Sequence, residues 1–152
     1  SVGRPPPSGH PGQRPGPGEF RVLNPVGRDL GLLLVRVALV ATFIPYGYAK
    51  WAGGMDRFVG LLIATGFPAP EALARAVAAL ELGGGVLLLL GLGTRLVAAL
   101  LAAEMAVAIL RVLWPRGYLG GFVLETVLLL CALALVVAGG GRWSLGSGPL
   151  SR

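Results

Sequence analysis

The sequence predicts an all-α fold, a polytopic membrane bundle of four helices with a short interfacial helix between the first two spans. Of the 152 residues, 55% are hydrophobic and 13% are charged, whereas a soluble domain carries about 25% charged residues. Four apolar stretches approach the roughly 20 residues that a helix needs to cross a bilayer. We place these spans at residues 30–51, 72–92, 94–113 and 120–138.

The first span contains a proline, and the connection after it contains a second helical pattern. Pro45 removes a backbone hydrogen bond and is expected to kink the helix. Residues 52–69 are too few to cross the bilayer, but apolar residues recur there at helical spacing between Asp56, an expected N-cap, and Gly66, an expected stop. We interpret this stretch as an interfacial anchor, with a lid over a cavity as the alternative. The pattern consists of Phe58, Leu61, Leu62 and Thr65.

The second and third spans form a tight hairpin through residues 91–93, with Thr94 as the expected cap of the third span. The glycines at 83–85 allow close contact between helices. These glycines and those at 139–141 lack the strand–loop–helix context of a phosphate loop, so we reject nucleotide binding.

The chain divides into a Pro/Gly-rich polar tail at residues 1–27, a four-span membrane domain at 28–146 and a short C-terminal tail at 147–152. Residues 1–19 contain six prolines and five glycines, a composition that cannot bury a core of its own. We therefore expect a larger membrane protein complex to contact this tail. We recognise no cleavable secretory signal. Arginines favour the side that holds both termini, which predicts cytoplasmic termini in a cell inner (cytoplasmic) membrane.

Cysteine and histidine counts exclude several kinds of site. Cys131 is the only cysteine and His10 the only histidine, so one chain offers no disulfide, no C-x-x-C redox pair, no bis-histidine haem and no ordinary zinc site. We expect no metal and no cofactor held covalently or through His or Cys, which is compatible with a bound lipid or quinone. The distribution of the +6 formal charge indicates membrane lipids as partners and not nucleic acid.

Three glutamates inside the apolar spans define the candidate site, because a carboxylate at membrane depth needs a partner, a water-filled cavity or a proton. Counting from the 91–93 hairpin places Glu81 and Glu104 roughly 15 Å deep and Arg36 about 10 Å deep. We predict that Arg36 pairs with Glu81, and that one of the two glutamates holds a proton. A second layer is predicted toward the opposite surface. It consists of Glu125, Arg111, Lys50 and Arg75, which completes a buried charge network of Arg36, Lys50, Glu81, Glu104, Arg111 and Glu125.

Three segments resemble the DoxX family of small four-span membrane proteins. The first is RVALVATFIPYGYAKW, the second is ELGGGVLLLLGLGTRLVAA, and the third is Glu125 followed by GGGRWSL. The resemblance covers residues 28–146. Two positions depart from the family pattern: Tyr46 stands where many members have histidine, and Gly146 where many have aspartate. The matching positions are Arg36, Gly47, Lys50, Glu81, Gly84, Gly91, Thr94, Arg95 and Glu125.

The resemblance implies a redox setting, since some members resemble membrane subunits of a thiosulfate:quinone oxidoreductase and others accessory proteins of redox-stress complexes. The first interpretation is a non-catalytic membrane subunit of a larger respiratory or redox complex, which is not an enzyme on its own. The alternative is a quinone-linked oxidoreductase membrane subunit, active in electron transport, whose ligand pocket is formed by Arg36, Tyr46, Glu81 and Glu104. A small transporter or lipid-binding protein is the third hypothesis.

Overall fold

The computed structural model describes residues 25–146, and all its regular elements are helical. The predictions for residues 1–24 of the N-terminal tail and for residues 147–152 lie outside this range, whereas residues 25–27 of the predicted tail belong to the first helix. The α-helices are α1 (Pro25–Ala49), α2 (Met55–Ala64), α3 (Pro70–Leu90), α4 (Thr94–Val107) and α5 (Val123–Ala138). Shorter π-helical and 3-10 segments extend them, at Lys50–Gly54, Ala108–Leu113, Trp114–Arg116 and Tyr118–Phe122.

Four helical stretches are long and apolar enough to cross a membrane, which confirms the predicted all-α, four-span fold. They are Pro25–Ala64, Pro70–Leu90, Thr94–Arg116 and Tyr118–Ala138. The first stretch includes α2, because helix continues past Pro45 and the backbone leaves helical dihedrals only at Gly53, where φ is 130°. Glycine adopts that conformation without a steric penalty. The predicted short helix between the first two spans is therefore present as α2.

Two details of helix capping differ from the sequence prediction. Asp56 lies in the first turn of α2, whose N-cap is Gly54. The N-cap of α4 is Gly93, and the Thr94 hydroxyl is buried without a hydrogen-bond partner. Both glycines at the α3–α4 turn, Gly91 and Gly93, have positive φ. The tight left-handed turn is closed by backbone bonds, so it needs no side-chain cap.

The bundle consists of two helix pairs, α1 with α3 and α4 with α5, which contact each other less extensively. The α1–α3 contact depends on glycine. A methyl group on Gly47 would lie 2.6 Å from the Leu82 nitrogen, and one on Gly85 would lie 2.6 Å from Ile44 Cγ1. The small residues therefore allow the two backbones to approach closely.

We name the two ends of the bundle by what they contain. The clamp end holds the start of α1, the α3–α4 turn and the end of α5. The cavity end holds α2 and residues 108–122. Toward the clamp end the interior is packed with apolar side chains, and Leu39, Leu88, Leu101 and Leu135 are fully buried.

Candidate functional site

A cavity of about 550 Å³ lies between the two helix pairs, toward the cavity end. Its walls are apolar apart from a few polar side chains, and α2 contributes Phe58, Leu61 and Leu62 to the lining, as the lid interpretation requires. The size falls within the range of roughly 300–1,000 Å³ that is typical of small-molecule sites. The polar and charged side chains in the lining are Thr42, Tyr46, Lys50, Glu81, Glu104 and Glu125.

An ion pair joins α1 and α3 inside this cavity. The Lys50 ammonium donates a hydrogen bond to the Glu81 carboxylate. It also lies over the ring of Phe58, 4.5 Å from the centroid. Glu81 is 3% exposed, so this carboxylate has exchanged water for an ammonium. The attraction between the two charges therefore offsets part of the free energy that is needed to remove both from water.

Glu104 approaches this pair from α4 on the opposite wall. Its carboxyl group interacts with that of Glu81 and with Lys50. One of its oxygens, Oε2, is buried without a hydrogen-bond partner. Two glutamates and one basic residue thus meet in the bundle, as predicted, but the basic residue is Lys50. A buried acceptor without a donor is available to a proton or a ligand.

The predicted pairing of Arg36 with Glu81 is wrong. Arg36 is buried, and its guanidinium donates to backbone carbonyls after α5: Nη1 to Gly140 O at 3.1 Å and Nη2 to Trp143 O at 3.0 Å. Side chains on a helix lean toward its N-terminus. Arg36 therefore extends to the clamp end, whereas Lys50, at the other end of the same helix, extends inward to Glu81.

Other bonds attach the C-terminal segment to the same end of the bundle. The Ser144 hydroxyl donates to Gly91 O. The backbone nitrogens of Leu145 and Gly146 donate to Leu90 O and Gly91 O, each at 3.3 Å. Together with the two bonds of Arg36, these contacts form what we call the clamp. Its role is structural, because it connects α1 and the α3–α4 turn to the segment that follows α5.

The predicted second layer of charges does not form a network. Glu125 lines the cavity without an ion pair in the described range. Arg111 is exposed and lies over the ring of Phe67, 5.2 Å from the centroid. Ile109 is buried, and a residue two positions further along a helix lies on the opposite face, which turns Arg111 outward. Arg75 pairs at 3.7 Å with Glu71 on the surface.

Sequence reasoning missed Asp29, which is 4% exposed and has Oδ1 buried without a partner. The predicted span began one residue later. A periodic signal was present, because Asp29 begins a stripe in α1 with alternating spacings of three and four residues, which is the spacing of a buried helix face. The other buried members of that stripe are Leu32, Arg36, Leu39 and Phe43.

Within the described part of the chain, no group of three His, Cys, Asp or Glu side chains is placed to hold a metal ion. The cavity lining contains neither cysteine nor histidine.

Comparison with known proteins extends these observations to relatives. A profile of the DoxX family matches residues 31–114, a segment that includes Arg36, Lys50, Glu81 and Glu104. A Bacillus subtilis (strain 168) protein described as "Putative oxidoreductase CatD" is 34% identical over 113 residues, which cover 73% of this chain and 81% of the relative. No solved structure gives a significant match. The four spans, the motif residues and these two matches agree: the chain is an integral membrane protein that belongs to the DoxX family.

Proposed function

We propose that this chain is the membrane subunit of a larger redox complex, and that its cavity binds a quinone with which the complex exchanges electrons. The observation that carries the proposal is the cavity itself: about 550 Å³ of mainly apolar space beside the Lys50–Glu81 pair and the unpartnered Oε2 of Glu104. The sequence alone favoured a subunit without a ligand. The cavity makes the quinone-linked alternative the better account.

The chemistry of a quinone matches this lining. A quinone is a flat, apolar ring with two carbonyl oxygens that accept hydrogen bonds, and it becomes a hydroquinone by taking up two electrons and two protons. The Lys50 ammonium is a donor for one oxygen. Glu104 can donate a proton to a quinone oxygen, or accept one from a hydroquinone hydroxyl, through its free oxygen, since buried carboxyl groups in membrane proteins often serve in proton transfer.

We infer that the electrons come from a cofactor in a partner protein, because the lining has no cysteine or histidine to ligate a haem or a metal centre. The name of the Bacillus subtilis relative, an oxidoreductase, supports a redox setting. In this proposal the present chain binds the quinone and transfers protons to or from it. The partner supplies or removes the electrons.

A second candidate is a subunit that stabilises a complex without binding any small molecule. The Lys50–Glu81 ion pair favours it, because this pair is satisfied without a ligand and would hold α1 against α3. The second candidate does not account for the buried, unpartnered oxygen of Glu104. A substitution at Glu104 therefore distinguishes the two candidate functions.

The test is to purify the complex from native membranes and to compare wild type with Glu104→Gln. Wild type is expected to retain about one extractable quinone per chain, and the variant about tenfold less, since one charged or proton-donating contact is worth about 1.4 kcal/mol or more. Co-purification of partner chains should not change. The matched control is Glu71→Gln, which removes an exposed carboxylate outside the cavity. Intact assembly with no quinone in wild type would establish the second candidate.

A further inference from the structure

The cavity opens sideways between α3 and α4. Next to the turn that joins them these two helices touch, since a methyl group on Gly84 would lie 3.2 Å from Val97 Cγ1. Farther from the turn both helices line the cavity, so they separate toward the cavity end. Several lining residues at this separation are exposed, which shows that the cavity reaches the surface of the bundle there. These residues, which we call the α3–α4 window, are Ala76, Leu100, Ala103 and Val107.

The α3–α4 window faces the hydrocarbon of the bilayer. It lies between the membrane-crossing stretches Pro70–Leu90 and Thr94–Arg116, and its four residues are all aliphatic. Ala103 follows Thr94, the first residue of α4, by nine positions, which is about 14 Å along the helix axis. The hydrocarbon core of a bilayer is about 30 Å thick, so this depth is close to its middle. A molecule that passes through the window therefore moves between the cavity and the lipid.

The other boundaries of the cavity suit an apolar chain less well. Helix α2 covers part of the cavity end, where Leu62 is buried. A second opening lies between α1 and α5, where Tyr46 and Leu124 line the cavity and are exposed. That opening is more polar, because it combines the phenol of Tyr46 with the nearby Glu125. The α3–α4 window is the entirely aliphatic opening among the described residues of the lining.

Polarity decreases from the interior of the cavity to the α3–α4 window. The Lys50–Glu81 ion pair lies inside, and Glu104, which interacts with both partners, precedes the window residue Val107 by one turn of α4. A ligand that matches this order has a polar head and an apolar chain. The cavity of about 550 Å³ encloses a head of drug-like size. A ring that carries a chain of many isoprene units is larger, so such a chain has to leave the cavity.

We propose that the ligand is a long-chain membrane quinone, whose ring lies beside Lys50 and Glu104 and whose chain passes through the α3–α4 window into the bilayer. This inference rests on the proposed function and adds the class of quinone and the path of its chain. The ring stays in contact with the groups that bind it and exchange protons with it. The chain remains in the hydrocarbon, so binding does not require the whole molecule to leave the membrane.

The first experiment uses the full chain in phosphatidylcholine nanodiscs and a decyl benzoquinone that carries a photoreactive diazirine in its chain. Mass spectrometry identifies the labelled residues with and without an excess of unmodified decyl benzoquinone. Labelling that the unmodified quinone suppresses is expected at the α3–α4 window. Suppressed labelling at Tyr46 and Leu124 instead would overturn the proposal. This measurement needs no variant.

The second experiment blocks the window. Ala103→Trp should weaken binding of decyl benzoquinone about tenfold or more, because the indole occupies the path of the chain and several methylene groups lose their contacts. Binding of the same quinone without a chain should be unchanged. Ala99→Trp is the matched control, since Ala99 is exposed on α4 outside the cavity lining, and it should change neither affinity. Equilibrium dialysis against empty nanodiscs measures both quinones.

Unchanged binding of the decyl quinone by Ala103→Trp, or an equal loss for the two quinones, would overturn the proposed path of the chain. Either result would leave the proposed function standing if quinone retention still depends on Glu104. Absence of suppressed labelling in wild type, together with no effect of Glu104→Gln on quinone retention, would overturn both.

Discussion

The two ends of the bundle treat buried charge in opposite ways. At the clamp end, the Arg36 guanidinium donates hydrogen bonds to the carbonyls of Gly140 and Trp143, and fully buried leucines pack nearby. At the cavity end, the Lys50 ammonium is held by one carboxylate beside about 550 Å³ of open volume. Both cations belong to the first span. Because both side chains lean toward the N-terminus of the helix, the position of each residue along the span decides whether it reaches the packed end of the bundle or the cavity.

The largest expected effect comes from removing the cation at the clamp end. Arg36→Ala deletes two charge-assisted hydrogen bonds, worth about 1.5–3 kcal/mol each, so the free energy of unfolding should fall by about 3–6 kcal/mol. Arg36→Lys should recover part of the loss, because lysine keeps the charge but lacks the planar fork that serves two carbonyls. Thermal unfolding in detergent measures both variants. A stability within error of wild type for Arg36→Ala would show that the clamp does not hold the bundle.

Removing the cation at the cavity end should lower the free energy of unfolding by less than removing Arg36 does. Lys50→Met leaves the Glu81 carboxylate without its ammonium, but that group can take up a proton, so we expect a loss of about 3 kcal/mol, the lower end of the range for a broken buried pair. Adding Glu81→Met should restore most of it, because a buried ion pair can be replaced by apolar groups. The same unfolding assay measures the pair. If the double variant is no more stable than Lys50→Met, the ion pair is not the reason for the single loss.

A smaller loss of stability is expected from a substitution in the contact between α1 and α3. Gly47→Ala places a methyl group 2.6 Å from the Leu82 nitrogen, which should separate α1 from α3 and cost about 1–2 kcal/mol. Gly83→Ala is the matched control in α3, since nothing lies within 4 Å of the added methyl. It should be neutral or stabilising by up to about 1 kcal/mol, because alanine is the better helix former. Equal effects of the two substitutions would contradict the close α1–α3 contact.

Thiol accessibility tests the comparison of the ends with almost no change in stability. Ala108 lines the cavity, whereas Ala98 is fully buried toward the clamp end of the same span. In a Cys131→Ala background, Ala108→Cys should react about tenfold faster than Ala98→Cys with a small impermeant methanethiosulfonate, because thiol reactivity follows exposure. Mass spectrometry follows the labelling. Equal rates would show that the cavity is closed to water.

The fold could be predicted because composition decides it. Four long apolar stretches and the glycine-rich turn at 91–93 leave little choice of architecture. The candidate site was only partly predictable. Counting residues gave the depths of Glu81 and Glu104, and both line one cavity. The residue count does not include the direction in which each long side chain extends. It therefore assigned Glu81 to Arg36, whereas Glu81 pairs with Lys50.

The remaining differences have a similar origin. The clamp depends on how the segment after α5 packs against the α3–α4 turn, and no periodic pattern in that segment predicts such contacts. Asp29 was recoverable from the spacing of the α1 stripe. The empty volume between the helix pairs was not, because a cavity is a property of packing between elements distant in sequence.

The clamp has a mechanical consequence for the whole bundle. It ties α1 and the α3–α4 turn to the segment that follows α5 at one end. The two helix pairs are thus joined at one end, and Gly91 and Gly140 form a hinge between them. We expect a bulky ligand to rotate the pairs apart about this hinge. Admission of a ligand would then need no change in the packed leucines near it.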